Sequence, residues 1–170
     1  MLAPLRARFW RMLNVRWQRE PLSGAGAARM GGRWNRVGQP ALYLSSDHGT
    51  AIAEFHQMLV RPGTLVAYDI VSDAIADLTD ESFFPAHFPA LAGHEVVNCQ
   101  WRKIWKLENR EPPTWALVDS LRSAGAVGAL VPSVQQRGGV NLVLWEWSGK
   151  SGADAHIRVI DPESELAEQG

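Results

Sequence analysis

The sequence predicts an α+β fold in a single compact domain, and three observations carry that prediction. At 170 residues the chain has the length of one domain. Its 46% of apolar residues are enough for a proper core. Runs rich in β-branched residues alternate with runs of helical period, beginning with a strand–helix–strand rhythm in the first half.

Taken in order, Ala7 to Val15 mixes apolar and basic residues and reads as a strand or a short helix packed on the core. Trp17 to Ser23 is loop-like. The glycine-rich stretch from Gly24 follows, and Gly31 and Gly32 permit backbone geometry that other residues resist, so Arg33 sits on a bent backbone. Ala41 to Ser45 is a short buried strand with Tyr43 in its middle. Asp47 is the N-cap of a helix expected to run to about Leu59, where Arg61-Pro62-Gly63 stops it. On that helix Ala51, Ile52, Phe55, Met58 and Leu59 form an apolar face, with Glu54 at its edge.

Thr64 to Val71 is the next strand, whereas residues 72–80 have mixed patterning and receive no assignment. Glu81 to Gly93, with Pro85, Pro89 and three phenylalanines, reads as an ordered apolar loop or very short helices. Cys99 to Asn109 spaces Trp101, Ile104, Trp105 and Leu107 as a helix does, until Glu111-Pro112-Pro113 breaks it. In the helix from Thr114 to Ser123, Trp115, Val118 and Leu121 recur every three residues. Val127 to Pro132 is a strand and Ser133 to Gly139 a loop. Val140 to Trp147 is the strongest strand, with Asn141, Val143, Trp145 and Trp147 on one face. His156 to Asp161 is the last strand. The domain is expected to span 1–162, with an acidic, frayed tail over 163–170.

Composition removes several function classes. A formal net charge of −1 argues against nucleic-acid binding driven by counterion release. One cysteine, Cys99, makes no internal disulfide, which is compatible with a reducing, cytoplasmic setting. The N-terminus lacks the apolar core of a signal peptide, and no apolar run reaches the roughly 18 residues of a membrane span. The third glycine of a G-x-G-x-x-G pattern beginning at Gly24 would fall at Arg29, so the dinucleotide fingerprint fails. Five histidines show no ligand spacing, and no metal site is expected.

Six residues remain as candidates, each with a plain alternative. Arg33 is a solvated arginine or a planar fork for a phosphate. Tyr43 is a core tyrosine or a ring offered to a heteroaromatic base. Glu54 is a boundary residue or a carboxylate facing a cleft. Arg11, Ser133 and Asn141 are surface or structural polar groups unless the same cleft uses them.

Three stretches together resemble the RES-domain family of bacterial toxins: Pro21 to Phe55 (PLSGAGAARMGGRWNRVGQPALYLSSDHGTAIAEF), the VPS ending at Ser133 with the following GGVNLVLW, and the early FWR. The resemblance spans about Trp10 to Ile160. It implies a fold similar to the ADP-ribosyltransferase toxins, with split mixed β-structure and flanking helices, and it implies NAD as a consumed substrate. Carried over by position, Arg33, Tyr43, Glu54 and Ser133 match the family arginine, tyrosine, glutamate and serine, and Arg11 and Asn141 join them as NAD-binding residues. Glu54 becomes the catalytic carboxylate. The resemblance further implies an Xre-like helix-turn-helix antitoxin that covers the site. ADP-ribose is expected to pass to a cellular protein, such as an enzyme of phosphoribosyl pyrophosphate synthesis; phosphate or water is the alternative acceptor. Among nearby cations, Arg29 and Arg36 are expected to point to solvent, leaving Arg137 as the spare cation for a phosphate or an acidic acceptor surface.

Overall fold

A computed structural model of the chain describes residues 1–57, 59–148 and 155–166. Its described strands are β1 (Leu2–Asn14), β2 (Leu42–Ser45), β3 (Gly63–Asp77), β4 (Gly128–Pro132), β5 (Val140–Leu144) and β6 (His156–Val159). The helices are α1 (Ala25–Met30), α2 (His48–His56), α3 (Phe83–His87), α4 (Gly93–Val97), α5 (Trp101–Lys106) and α6 (Pro113–Ser123). The class is α+β, as the sequence predicts.

All six strands belong to one mixed sheet that closes on itself. β1 runs antiparallel along the whole of β3, from Leu2 opposite Ala76 to Asn14 opposite Gly63. The other side of β3 takes β6, antiparallel at residues 68–71, and then β4, parallel at residues 75–77. β4 pairs with β5, β5 with β2, and β2 returns to β1 at Trp10–Ser45. Asp69 ties three strands together: Arg8 of β1 donates to it at 2.8 Å and Arg158 of β6 at 2.7 Å. These two guanidinium contacts hold its carboxyl down at about 2.

Alternation along the strands sorts side chains into two cores. Phe9, Leu13, Leu42, Leu44, Tyr68, Ile70, Leu142 and Leu144 cluster on one face of the sheet. Val131, Val143 and Trp145 meet Trp34, Val97, Leu117, Val118 and Leu121 in the other cluster, which carries the helices. Among the described residues no helix is long and apolar enough to cross a membrane.

Several elements differ from their sequence assignment. The stretch from Ala7 lies within a longer strand, β1, which already starts at Leu2; β3 extends through residues 72–77 and offers it a partner along its length. Val15, placed with that stretch, instead opens a short 3-10 turn. The glycine-rich stretch contains a helix, α1, which ends where Gly31 adopts φ +68°. α2 stops at His56 rather than Leu59. Gln57 turns left-handed at φ +48°, and Arg61 donates to the Phe55 carbonyl at 3.0 Å, satisfying one C-terminal acceptor. Its apolar face is accordingly shorter than predicted: Ala51 is buried, Ile52 is 39% exposed and Leu59, beyond the helix, is 71% exposed, while Met58 lies outside the described residues. β5 ends at Leu144, three residues short of the expected Trp147. Trp145 N and Glu146 N both donate to Val127 O, so two residues oppose one, and Trp147 is shifted to the other cluster from Trp145. Leu107 does not pack with Trp101 and is 80% exposed beyond the end of α5. In the tail, Asp161 accepts from Glu165 N and Leu166 N, and Leu166 packs on the core; 167–170 lie outside the described residues.

Candidate active site

The closing end of the sheet brings the polar candidates together. Ser45 ends β2 directly opposite Asn141 of β5, and Ser133 follows the last residue of β4, whose Pro132 pairs with Val140. Parity along β2 places Tyr43 and Ser45 on one face, away from Leu42 and Leu44. α2 lies against this end. Its N-cap Asp47 accepts from Thr50 N at 2.9 Å and Thr50 Oγ1 at 2.6 Å, which fixes the first turn and therefore the rotation of Glu54.

Glu54 is anchored by two donors on a single oxygen. Ser133 Oγ reaches Glu54 Oε1 at 2.6 Å and Asn141 Nδ2 reaches it at 2.7 Å. Asn141 is oriented in turn by Ser45 Oγ, which donates to its Oδ1 at 2.8 Å. Ser133 Oγ also accepts from the backbone N–H groups of Gln135 and Gln136, so the loop after β4 holds it in place. Glu54 Oε2 has no hydrogen-bond partner among the described residues. The carboxylate, Tyr43, Ser45, Asn141 and Arg11 line one small cavity of about 70 Å³ with Trp10 and Ala51.

Tyr43 is enclosed at its hydroxyl and lines the cavity with the rest of the side chain. Its hydroxyl is enclosed, donating to Asn35 Oδ1 at 2.7 Å and accepting from Trp34 N at 3.1 Å, and burial pushes its pKa well above the usual phenol range. The residue as a whole is half-buried, so the ring both packs and walls the cavity. Asn35 is fully buried and holds the turn by donating to the carbonyls of Ala27, Arg36 and Gln39. Gly32 is required here: a Cβ would lie 2.4 Å from both the Tyr43 hydroxyl and Asn35 Oδ1.

Arg33 is half-buried in a second cavity, of about 430 Å³. Its Nη1 donates to the carbonyls of Val97 at 3.0 Å and Cys99 at 2.5 Å, which leaves the rest of the fork without a protein acceptor among the described residues. Burial lowers its pKa, while Cys99, Glu54 and Tyr43 oppose that shift, so Arg33, Tyr43 and Glu54 share one electrostatic environment. Arg102, on α5, lines the same cavity. Arg11 is placed differently. It lies two residues after Phe9 on β1, and its Nη1 donates at 3.3 Å to the carbonyls of Pro21 and Ser23, where Tyr68 also donates to Pro21. Burial lowers its pKa. Arg36 does not point to solvent: it pairs with Asp119 at 2.7 Å and with Glu111, and stacks on Trp115. Arg29 is exposed and faces a separate hollow with Arg16 and Trp17; Arg137 is exposed in its loop.

Sequence reasoning missed Ser45 and Arg102. The signal for Ser45 was present, since period two puts it on the face of Tyr43. Arg102 had none, because the turn between α4 and α5 is tied to Arg33 by contacts distant in sequence, the bonds from Arg33 to the Val97 and Cys99 carbonyls.

The RES domain profile matches residues 8–166 of the sequence. The chain belongs to the RES domain family. The match covers every residue of the cluster just described, from Arg11 to Asn141. This RES domain also resembles, in structure, a chain from the crystal structure of the M. tuberculosis MbcT–MbcA toxin–antitoxin complex. The TM-score is 0.60 at 22% identity, over 84% of this chain and 75% of that one, and the likeness is one of fold. Among curated proteins there is no match to the sequence.

Proposed function

We propose that this RES domain is a bacterial toxin that consumes NAD by breaking the bond between nicotinamide and ribose. One observation carries the reading: Glu54 is fixed through Oε1 by Ser133 and Asn141 while Oε2 is left unengaged, in a cavity that Tyr43 also lines. Breaking that bond sends its electron pair to the nicotinamide nitrogen and leaves an oxocarbenium-like ribose. A preorganised carboxylate stabilises the charge that develops there. Oε2 supplies this charge and holds a ribose hydroxyl. Tyr43, locked by its hydroxyl, offers a flat ring to the nicotinamide. The open part of the Arg33 fork takes a phosphate of the pyrophosphate. The 430 Å³ cavity lined by Arg33 lies within the size range of small-molecule sites, about 300–1,000 Å³. NAD enters as a substrate and is used up.

For the acceptor, the first reading is transfer of ADP-ribose to a cellular protein, an enzyme of phosphoribosyl pyrophosphate synthesis being one such target. Arg36 is already neutralised by Asp119 and Glu111, and Arg29 and Arg137 stand outside the cavity, so none of the three cradles a phosphate. Phosphorolysis is the second reading, and the observation that favours it is Arg102 beside Arg33. The partner proposed for the protein is an Xre-like antitoxin that covers the cleft; the fold relative was crystallised as a toxin–antitoxin complex. The test is to incubate pure protein with labelled NAD, with and without phosphate and cell extract. Transfer predicts slow NAD loss without extract and label on one or a few protein bands. Rapid loss that scales with phosphate promotes the second reading, and intact NAD under every condition removes the proposal.

A further inference from the structure

Many of the arginines in this protein face a carboxylate. Arg8 and Arg158 share Asp69, Arg36 has Asp119 and Glu111, Arg110 has Glu108, and Arg122 has Glu146. Arg33 and Arg102 line one cavity, and neither forms an ion pair among the described residues. Two guanidinium groups in one concave site repel each other, and Arg102 does lower the pKa of Arg33. Glu54 offsets part of this at Arg33, but no carboxylate among the described residues forms an ion pair with either guanidinium. Arg33 is held by two carbonyls, and Arg102 lies over the Trp101 ring, 5.0 Å from its centroid, with a long 3.5 Å contact to Gln57 Oε1 at the end of α2. The rest of the wall includes the neutral amides of Asn98, Gln100 and Gln135. A cavity with two unmatched forks and amide donors fits a multiply charged oxyanion.

We propose that Arg102 and Arg33 together form a phosphate-group site, with Arg102 supplying the second fork. This rests on the NAD-consuming reading of Glu54. The shared chemistry has two sources. In one, the site holds the pyrophosphate of NAD, whose second negative charge Arg33 alone leaves unmatched. In the other, it holds inorganic phosphate as the acceptor. An oxygen of that phosphate then bonds to the ribose anomeric carbon as nicotinamide departs with the electron pair of the broken bond, and no oxidant or reductant is involved. In both, a lysine at position 102 restores charge without the planar fork.

The experiment compares the full-length protein with Arg102→Ala and Arg102→Lys. Because the side chain is exposed, both are expected to keep the wild-type unfolding temperature, and Arg102→Lys controls for any general disturbance of α5. ADP-ribose, titrated calorimetrically, probes pyrophosphate binding without turnover. NAD consumption with and without inorganic phosphate probes the acceptor. Pyrophosphate binding predicts ADP-ribose affinity lower by about ten- to a hundredfold in Arg102→Ala and partly recovered in Arg102→Lys. Phosphate binding predicts unchanged ADP-ribose affinity with loss of the phosphate-dependent rate. If neither quantity moves while the wild type consumes NAD, Arg102 is removed from the site and the reading of Glu54 stands. If the wild type binds ADP-ribose through Arg102 but leaves NAD intact, the two-arginine site stands and the proposed reaction falls.

Discussion

Glu54 is held by neutral donors, and that makes its charge separable from its position. A glutamine side chain keeps an oxygen able to accept from Ser133 and Asn141. Glu54→Gln is therefore expected to fold normally and lose NAD turnover by about 10²–10³ in kcat, the scale of removing one electrostatic contact to a transition state. Steady-state kinetics on a variant with unchanged thermal unfolding reads this directly; full turnover would falsify the catalytic assignment. Gly32 makes a second residue-level case. Gly32→Ala drives a methyl into the Tyr43 hydroxyl and Asn35, neither of which has room to move because Asn35 is held by three carbonyls. Chemical denaturation is expected to show a loss of about 1–3 kcal/mol. Gly26→Ala, with nothing within 4 Å of its added methyl, is the matched control and is expected to be neutral or stabilising. Equal stability of the two variants would mean that the turn yields and does not hold Tyr43.

At the scale of elements, Asp69 is the cross-brace of β1, β3 and β6. Its folded pKa of about 2 lies below the ordinary 3.8, so the unfolded chain binds the proton first as pH falls. The brace therefore contributes fully above about pH 4 and is lost as pH drops towards 2. Asp69→Asn is expected to lower the melting temperature at neutral pH and to converge on the wild type at the acid end of that window; a constant gap across pH would assign the effect to packing. The elements that could be read from the sequence are those whose order is local. The Asp47 cap, the period of Trp115, Val118 and Leu121, and the apolar run of β5 are each decided within a few residues. The exact ends were not legible, because they are set from outside: β3 runs on because β1 and β4 pair with it, and β5 stops because Val127 accepts two donors. The site followed the same division. Spacing places Glu54 at the edge of a helical face but fits a boundary residue as readily, and only the family resemblance singles it out. Arg102 acquires meaning only once the turn before α5 is bonded to Arg33.

At the scale of the whole molecule, expression of the domain alone is expected to arrest bacterial growth, and co-expression of a helix-turn-helix partner to restore it by covering the cleft. Colony counts read the first effect. NAD turnover by the purified complex reads the second, and a stable complex with undiminished activity would contradict blocking. The closed sheet has a consequence for the order in which such a protein is made. Glu54 is made before the two groups that anchor it, since Ser133 and Asn141 lie 79 and 87 residues further along the chain. Until β5 inserts between β2 and β4, the carboxylate lacks Asn141, and the sheet that returns to β1 at Trp10–Ser45 stays open. A chain truncated before Asn141 therefore lacks a complete anchor for Glu54, and under the proposed function it is expected to leave NAD intact.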